Sequence, residues 1–411
     1  MEYASSAVLD RARDDPSSYG QRSPQPPRRG KRGRNGGPQD PLWARIMVIL
    51  GALLMLGSGT MVVANKLLFD AAAGNFQHAD LLDPAAAPRQ HVSINGAKNI
   101  LLVGIDTRPG QNPSDLVRSD SIIILHIPAT HDRAYLVSIP RDSYVAIPPF
   151  NNGSKTYHGG KDRINASFAF GGDGKTGLDK LKFGFRLLQE TIKQDLGISF
   201  DAGAIVDFEG FHDVVSALGG VKMCIDEKTT SIHIGHTKDG KTKVPYIQDG
   251  GHSFRQVPGV TPEVYNVGCY HLEPWQALDY VRQRDLLANQ DSDYGRQRHQ
   301  QQFIKAVFKE VLDQGLTSPT KLPGLLKVVG KAMTIDNGNI GLEDWVFAMR
   351  NIGAADLTTV KTNAGKFNPG PGDLRGYEMI SDESMKLFTS IRDDDVEGFI
   401  SSHTDWLSQS G

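Results

Sequence analysis

Apolar residues recur along this chain in three distinct rhythms. The first is an unbroken run of 19 uncharged residues, IMVILGALLMLGSGTMVVA from Ile46 to Ala64, long enough to cross a bilayer as one helix. The second is a set of short continuous runs: NILLVGI from Asn99, SIIILHI from Ser121 and AYLVSI from Ala134. Such runs, lacking polar alternation, predict central strands covered on both faces. The third is a helical period over Leu178–Leu196. AGAIVDF (202–208) then reads as a strand, Glu209–Leu218 as a short helix ended by Gly219-Gly220, and VKMCI (221–225) as a further strand. Residues 226–268 lose the pattern and are expected to form a long surface excursion. Good helix sequence returns over Glu273–Phe308, where Phe303, Ile304, Val307, Phe308 and Val311 make an apolar stripe. Helices at 341–351 and 382–392 and a strand at 358–363 complete the expectation. The order predicts an α/β fold: a mixed central sheet sandwiched between helices, preceded by one transmembrane helix.

Composition alters this picture at the N-terminal end. Residues 1–42 are rich in Pro, Gly, Ser and Arg and have almost no apolar clusters, so they are expected to be a disordered leader. Arg28, Arg29, Lys31, Arg32, Arg34 and Arg45 precede the apolar run, which places the N-terminus in the cytoplasm under the positive-inside rule. A cleaved signal peptide is the alternative; the long polar leader and the lack of a small-residue cleavage site count against it. The expected organisation is a leader (1–42), a membrane helix (43–69), a linker (70–97), an outer domain (98–335) and a C-terminal α/β extension (336–411). Residues 1–69 carry 10 Lys+Arg against 5 Asp+Glu, leaving 35 against 42 for the remainder, a balance of −7. The outer part is thus not a general nucleic-acid binder, and no nucleic-acid partner is expected; an anion site there must be local. Cys224 and Cys269, outside the membrane, are expected as a disulfide closing segment 225–268, with two unpaired buried thiols as the alternative.

Candidate chemistry gathers at the ends of the predicted strands. Asp106 and Arg108 follow the first, Arg118 and Asp120 open the second, and Arg141 and Asp142 follow the third. Polar residues at strand tips are where an open α/β sheet keeps its site. Two carboxylates on neighbouring strands suit a hard cation such as Mg2+; the alternative is that Asp106 and Asp120 cap turns and pair with the arginines. The helical stretch adds Arg282, Arg284, Asp293, Arg296, Arg298 and Gln300. Asp293 lies one turn before Arg296, and Arg296 and Gln300 share a helix face. Arginine suits forked contact with phosphate oxygens, whereas a solvated face laced with Arg–Asp pairs is the competing view of such a charge run. Gly174-Lys175-Thr176 imitates the tail of a phosphate-binding loop, but Ala169 stands where its first glycine belongs. Protease, esterase and dinucleotide motifs are absent from the sequence.

Six segments in this order resemble the LytR-CpsA-Psr family of bacterial envelope proteins: NILLVGIDTR, VRSDSIIILHI, VSIPRDSYVAIP, RINASFAFGG, VDFEGFHDVVSALGGV and ALDYVRQRDLLANQDSDYGRQRHQQ. The similarity runs from about Asn99 to Lys305, and the cysteine pair and Pro/Arg-rich leader look like an actinobacterial member. The resemblance implies a membrane-anchored phosphotransferase that moves a glycopolymer of the teichoic acid, arabinogalactan or capsule kind. The donor would be a polyprenyl-pyrophosphate carrier and the acceptor a muramic acid hydroxyl of peptidoglycan. Carried over by motif, Asp106 and Asp120 would hold Mg2+ (or Mn2+). Arg118, Arg141, Arg163, Arg282, Arg284 and Arg296 would clamp the pyrophosphate with Gln300, Asp293 would orient Arg296, and Asp120 or Asp142 would serve as base. Phe168, Phe170, Phe183, Phe185, Leu187 and Leu188 are candidates for a prenyl slot or for plain core. A pyrophosphate hydrolase and a non-catalytic wall-binding or regulatory protein are the competing functions.

Overall fold

The computed structural model describes residues 77–78, 81–82, 94–107, 112–249, 253–317, 328, 332–336, 338, 340, 345, 349 and 351–408. The expected leader, the apolar run 46–64, Arg108, and most of the 70–97 linker and the 341–351 helix lie outside the described residues. Among the described residues no helix is long and apolar enough to cross a membrane.

Seven strands make one mixed sheet: β1 Gln77–His78, β2 Lys98–Ile105, β3 Ser119–Ile127, β4 Ala134–Ser138, β5 Ala202–Asp207, β6 Met333–Asp336 and β7 Leu357–Lys361, in the order β1-β6-β5-β2-β3-β4-β7. β2, β3 and β4 form an antiparallel meander, while β5 lies parallel to β2 and β7 parallel to β4. Helices α1 Ile164–Gly172, α2 Gly177–Leu196, α3 Phe208–Leu218, α4 Pro274–Tyr280, α5 Asp293–Thr317 and α6 Asp382–Arg392 surround it.

Both faces of the meander are covered, as its unbroken apolar runs require. Leu101, Ile124 and Val137 pack on one face with Phe168 of α1, Phe185 and Leu188 of α2 and Phe388 of α6. Ile123 and Leu136 point the other way, toward Ile304 and Phe308 of α5 and toward Trp345. Full burial of each such side chain contributes about 1.5–3 kcal/mol. Phe168, Phe185, Leu187 and Leu188 are completely buried here. They are core and do not line a slot; Phe170 stacks on Tyr157 and Phe183 meets Phe150 edge-on.

Local signals explain where helices start and stop. Asp207 accepts a hydrogen bond from the Gly210 amide and so opens α3, which Gly219 closes in the left-handed region at φ 77°. α6 begins where the Ser381 hydroxyl accepts from the Ser384 amide.

Two expectations need correction. VKMCI is a strand but lies outside the seven-stranded sheet: Val221–Ile225 pairs antiparallel with Gly268–Leu272, with Cys224 opposite Cys269 and the two joined as a disulfide. Segment 226–268 is consequently no loose excursion. It is a lobe of short strands, Thr229–Thr237, Thr242–Lys243, Tyr246–Gln248, Phe254–Gln256 and Val260–Tyr265, stapled at its base. The helical stretch expected over Glu273–Phe308 is two helices separated by a loop. α4 starts with Pro274 at its first position and ends at Tyr280, and α5 starts only at Asp293. In the connection Gln290 and Ser292 sit at φ 55° and 48°, which no helix accommodates.

The bridge joins residues 45 apart in sequence. Its reduction is expected to lower unfolding free energy by roughly 2–4 kcal/mol, measured by denaturant titration with and without a thiol reductant; equal midpoints would show that the lobe holds without it.

Candidate functional site

Three strand ends meet at one edge of the sheet. β2 delivers Asp106, antiparallel β3 begins with Ser119-Asp120, and β4 leads into Pro140-Arg141. Gly104 pairs with Ser121 and Ile105 with Ser119, so Asp120 is the extra residue of a bulge. Bulges next to sites re-aim a side chain. The close approach needs Gly104, because a Cβ there would lie 2.9 Å from the Ser121 Cβ.

Asp120 accepts a hydrogen bond from Arg141 Nη1 at 2.5 Å, and its carbonyl accepts one from Arg296 Nη2 at 3.0 Å. Arg296 Nη2 is also 2.6 Å from Asp293 Oδ1, one turn earlier on α5, and that oxygen is 3.7 Å from Arg141 Nε. The four side chains alternate in sign. Burial pushes the Asp293 carboxyl up, but Arg296 and Arg141 outweigh it and hold the group below the usual carboxylate range. Burial lowers the Arg296 guanidinium against the pull of Asp293; for Arg141 the carboxylates of Asp293, Asp120 and Asp142 overcome burial and raise it.

Hydrogen bonding within this cluster is incomplete, and Arg141 Nε has only ion-pair contacts, 3.6 Å to Asp142 Oδ2 and 3.7 Å to Asp293 Oδ1. Nε of Arg141 and Nε of Arg296 are buried without a hydrogen-bond acceptor, and Oε1 of Gln300, one turn further along α5, is buried without a donor. A buried unmatched donor costs about 1–3 kcal/mol. Two such N–H groups on adjacent arginines are what phosphate oxygens accept.

The remaining predicted residues ring this centre. Arg163 Nε lies 3.0 Å from Asp142 Oδ1, its Nη2 donates to the Gly376 carbonyl at 3.0 Å, and its guanidinium sits 4.5 Å over the Tyr377 ring. Arg118 is exposed at the rim and donates to Asn165 Oδ1 at 3.3 Å. Arg282 and Arg284 lie half-buried on the loop between α4 and α5. Arg284 is 3.5 Å from Asp285, and its charge reaches both Asp293 and Arg296. That loop is held by the stapled lobe: Thr230 N donates to Leu286 O at 3.1 Å, Ala288 N to Lys228 O at 3.0 Å and Asn289 N to Glu227 Oε2 at 2.9 Å. Asp106 is half-buried at the tip of β2.

A second charge cluster flanks α5. Asp226, Glu227 and Asp291 surround Arg298, and His299 Nε2 lies 3.2 Å from Glu227. Asp226, Glu227 and His299 are spaced closely enough to share a metal ion. The Arg298 guanidinium already supplies the positive charge among these carboxylates, which makes the cluster a structural cage. Sequence patterns missed Asn165, Tyr294 and Glu378, whose partners come from distant segments; only Tyr294, enclosed in DSDYGRQR, stood beside a visible signal.

Because Asp293 titrates lower folded than unfolded, its stabilisation is complete above the ordinary carboxylate range and is lost as pH falls through its folded value. Asp293→Asn, which leaves Arg296 without its carboxylate, should cost about 3 kcal/mol at neutral pH. Urea titrations of both proteins should show the gap closing as pH falls below the ordinary carboxylate range. A gap that ignores pH would assign the loss to packing instead of charge.

Comparison with known proteins follows the same lines. The model of the LytR_cpsA_psr family matches residues 72–373. The chain is 30% identical over 357 residues, 84% of its own length and 90% of the relative's, to the polyisoprenyl-teichoic acid–peptidoglycan teichoic acid transferase TagU of Oceanobacillus iheyensis. It is 28% identical over 267 residues to the probable cell wall biosynthesis protein LcpB of Corynebacterium glutamicum, covering 62% of this chain and 52% of that one. In fold it is similar to the crystal structure of protein gbs0355 from Streptococcus agalactiae, with a TM-score of 0.52, 19% identity, and 73% and 88% of the two chains covered. With most of its length inside the family match, the chain belongs to the LytR_cpsA_psr family.

Proposed function

We propose that this protein is a cell-wall glycopolymer transferase. It would move a glycan phosphate from a polyprenyl-pyrophosphate carrier to a sugar hydroxyl of peptidoglycan. The observation that carries the proposal is the linked cluster of Arg141 and Arg296 with Asp120 and Asp293, assembled where a sheet edge meets a helix start. The name of the Oceanobacillus relative supports the same class of donor and acceptor.

Phosphoryl transfer asks a protein mainly for positioning and charge neutralisation. Arg141 and Arg296 would grip non-bridging oxygens, while Arg282 and Arg284 approach from the lobe-held loop and Arg118 and Arg163 from the rim. Gln300 would orient the transferring group. Asp106 and Asp120 fit a hard divalent cation: they are two half-buried carboxylates on adjacent strand ends, one re-aimed by a bulge. Bound Mg2+ would neutralise pyrophosphate charge. With Asp120 so engaged, Asp142, whose side chain is 35% exposed, is the carboxylate left at the rim to take the acceptor's proton. The acceptor oxygen forms a bond to the glycan-side phosphorus, the bridging P–O bond breaks, and polyprenyl phosphate departs with the electron pair. The single-pass orientation expected from sequence would put this chemistry on the wall side of the membrane.

The full chain, incubated with a synthetic polyprenyl-pyrophosphate glycan and peptidoglycan fragments, should give a Mg2+-dependent phosphodiester product. Asp106→Ala and Arg282→Ala should each abolish it with melting temperatures unchanged. Release of polyprenyl phosphate without ligation would replace transfer by hydrolysis, and glycan binding without turnover, indifferent to both variants, would replace catalysis by a binding role.

A further inference from the structure

The family match ends at residue 373, yet the next residues lie against the arginine site. Gly376, Tyr377 and Glu378 each touch a segment that carries a site residue. Gly376 and Tyr377 hold the Arg163 guanidinium through a carbonyl and a ring face. Tyr377 also meets Tyr144 edge-on, with ring centroids 4.8 Å apart.

Glu378 does more, with backbone and side chain directed to different elements. Its amide donates to the Asp142 carbonyl at 3.0 Å, and its own carbonyl accepts from the Tyr144 amide at 2.7 Å. The chain just past Arg141 is thereby fixed as if in a short parallel sheet. Its carboxylate turns inward. Oε1 accepts from the Tyr294 hydroxyl at 2.7 Å, from Asn363 Nδ2 at 2.6 Å and from the Asn368 amide at 3.1 Å. Tyr294 belongs to the first turn of α5, two residues before Arg296. One residue, 2% exposed, therefore bonds to the Arg141 loop on one side and to the Arg296 turn on the other. Burial pushes its carboxyl up from the ordinary value against the three donors. A buried acid retained with raised titration and three converging donors is an expensive way to fill space.

We propose that Glu378 is a positioning residue of the phosphate-transfer site, locking the Arg141 loop to the first turn of α5 so that Arg141 and Arg296 keep their mutual placement during transfer. This inference rests on the function proposed above. It assigns the C-terminal extension a part in catalysis through geometry, without contact to the reacting atoms. Small displacements of such groups are costly: a shift on the order of 1 Å in a positioned group can lower rate about 100-fold.

The test compares Glu378→Ala, Tyr294→Phe and Glu378→Gln in the full chain. Glutamine keeps an acceptor oxygen for Tyr294 and Asn363, whereas alanine removes it. Glu378→Ala should lower kcat for transfer by about 10- to 100-fold with little change in KM for the lipid donor. Tyr294→Phe should move in the same direction, and Glu378→Gln should restore a rate close to that of the unaltered protein. Hydrogen–deuterium exchange supplies an arm independent of turnover: Glu378→Ala should speed exchange at residues 141–144 and 293–298 while leaving the central strands protected. An unaltered kcat in Glu378→Ala overturns the proposal, as does a loss in Glu378→Gln equal to that in Glu378→Ala and tracking melting temperature. If the unaltered protein catalyses no transfer, the proposed function fails; unchanged exchange in both segments then overturns the positioning role separately.

Discussion

A guanidinium that is 7% exposed must be matched where it lies, and Arg296 imposes that condition on the whole site. An uncompensated charge there would cost about 3 kcal/mol, a large share of the margin by which an ordinary domain is stable. Asp293 supplies the countercharge from the same helix, and the Asp120 carbonyl supplies a second acceptor from a strand end. Asp120 can serve only because a bulge at the β2–β3 edge turns it out of the ladder, and it then also engages Arg141. The chain of charges is thus placed by three segments, with Asp120 on β3, Arg141 just past β4, and Asp293 and Arg296 on the first turn of α5.

Support comes from two additions to the sheet. The stapled lobe bonds backbone-to-backbone with the loop bearing Arg282 and Arg284, and Arg298, on the other side of α5, is bound into the lobe's first carboxylates. The C-terminal stretch adds β7 beside β4 and brings Glu378 behind Tyr294. Gln301 joins these layers, donating to the carbonyls of Leu136 and Val360 and to the Ser138 hydroxyl. An excess of acidic residues in the outer part of the chain coexists with a locally basic centre because the arginines are concentrated where sheet edge, helix start and lobe converge.

Much of this architecture was legible in the sequence because it follows from burial. The three apolar runs could only be strands covered on both faces, and Asp382–Arg392 and the α2 segment announced themselves by period. Asp293 and Arg296 were readable as partners because three residues is one helical turn. What escaped was non-local. Propensity favoured helix throughout Glu273–Phe308, but backbone bonds from the lobe to Leu286, Ala288 and Asn289 hold a loop there, in which Gln290 and Ser292 sit in the left-handed region. The lobe's short strands gave little hydrophobic alternation, since much of that surface faces solvent. Glu378 had no motif at all: its tie to the arginine site runs through Tyr294, 84 residues away.

The spread of these contacts along the chain has a kinetic counterpart. In chain order the strand edge bearing Asp106, Asp120 and Arg141 precedes α5, and α5 precedes Glu378. Sheet order repeats the pattern, because β7 from the C-terminal stretch must find β4 across more than 200 residues. Closing such long loops is entropically slow. The domain's fold can therefore nucleate on the β2–β4 meander while the cluster of like charges that surrounds the centre stays apart. Asp120 lies beside Arg141 within the meander, and Arg296 comes to the centre on the same helical turn as Asp293, so each arginine carries its own countercharge to the place where like charges meet.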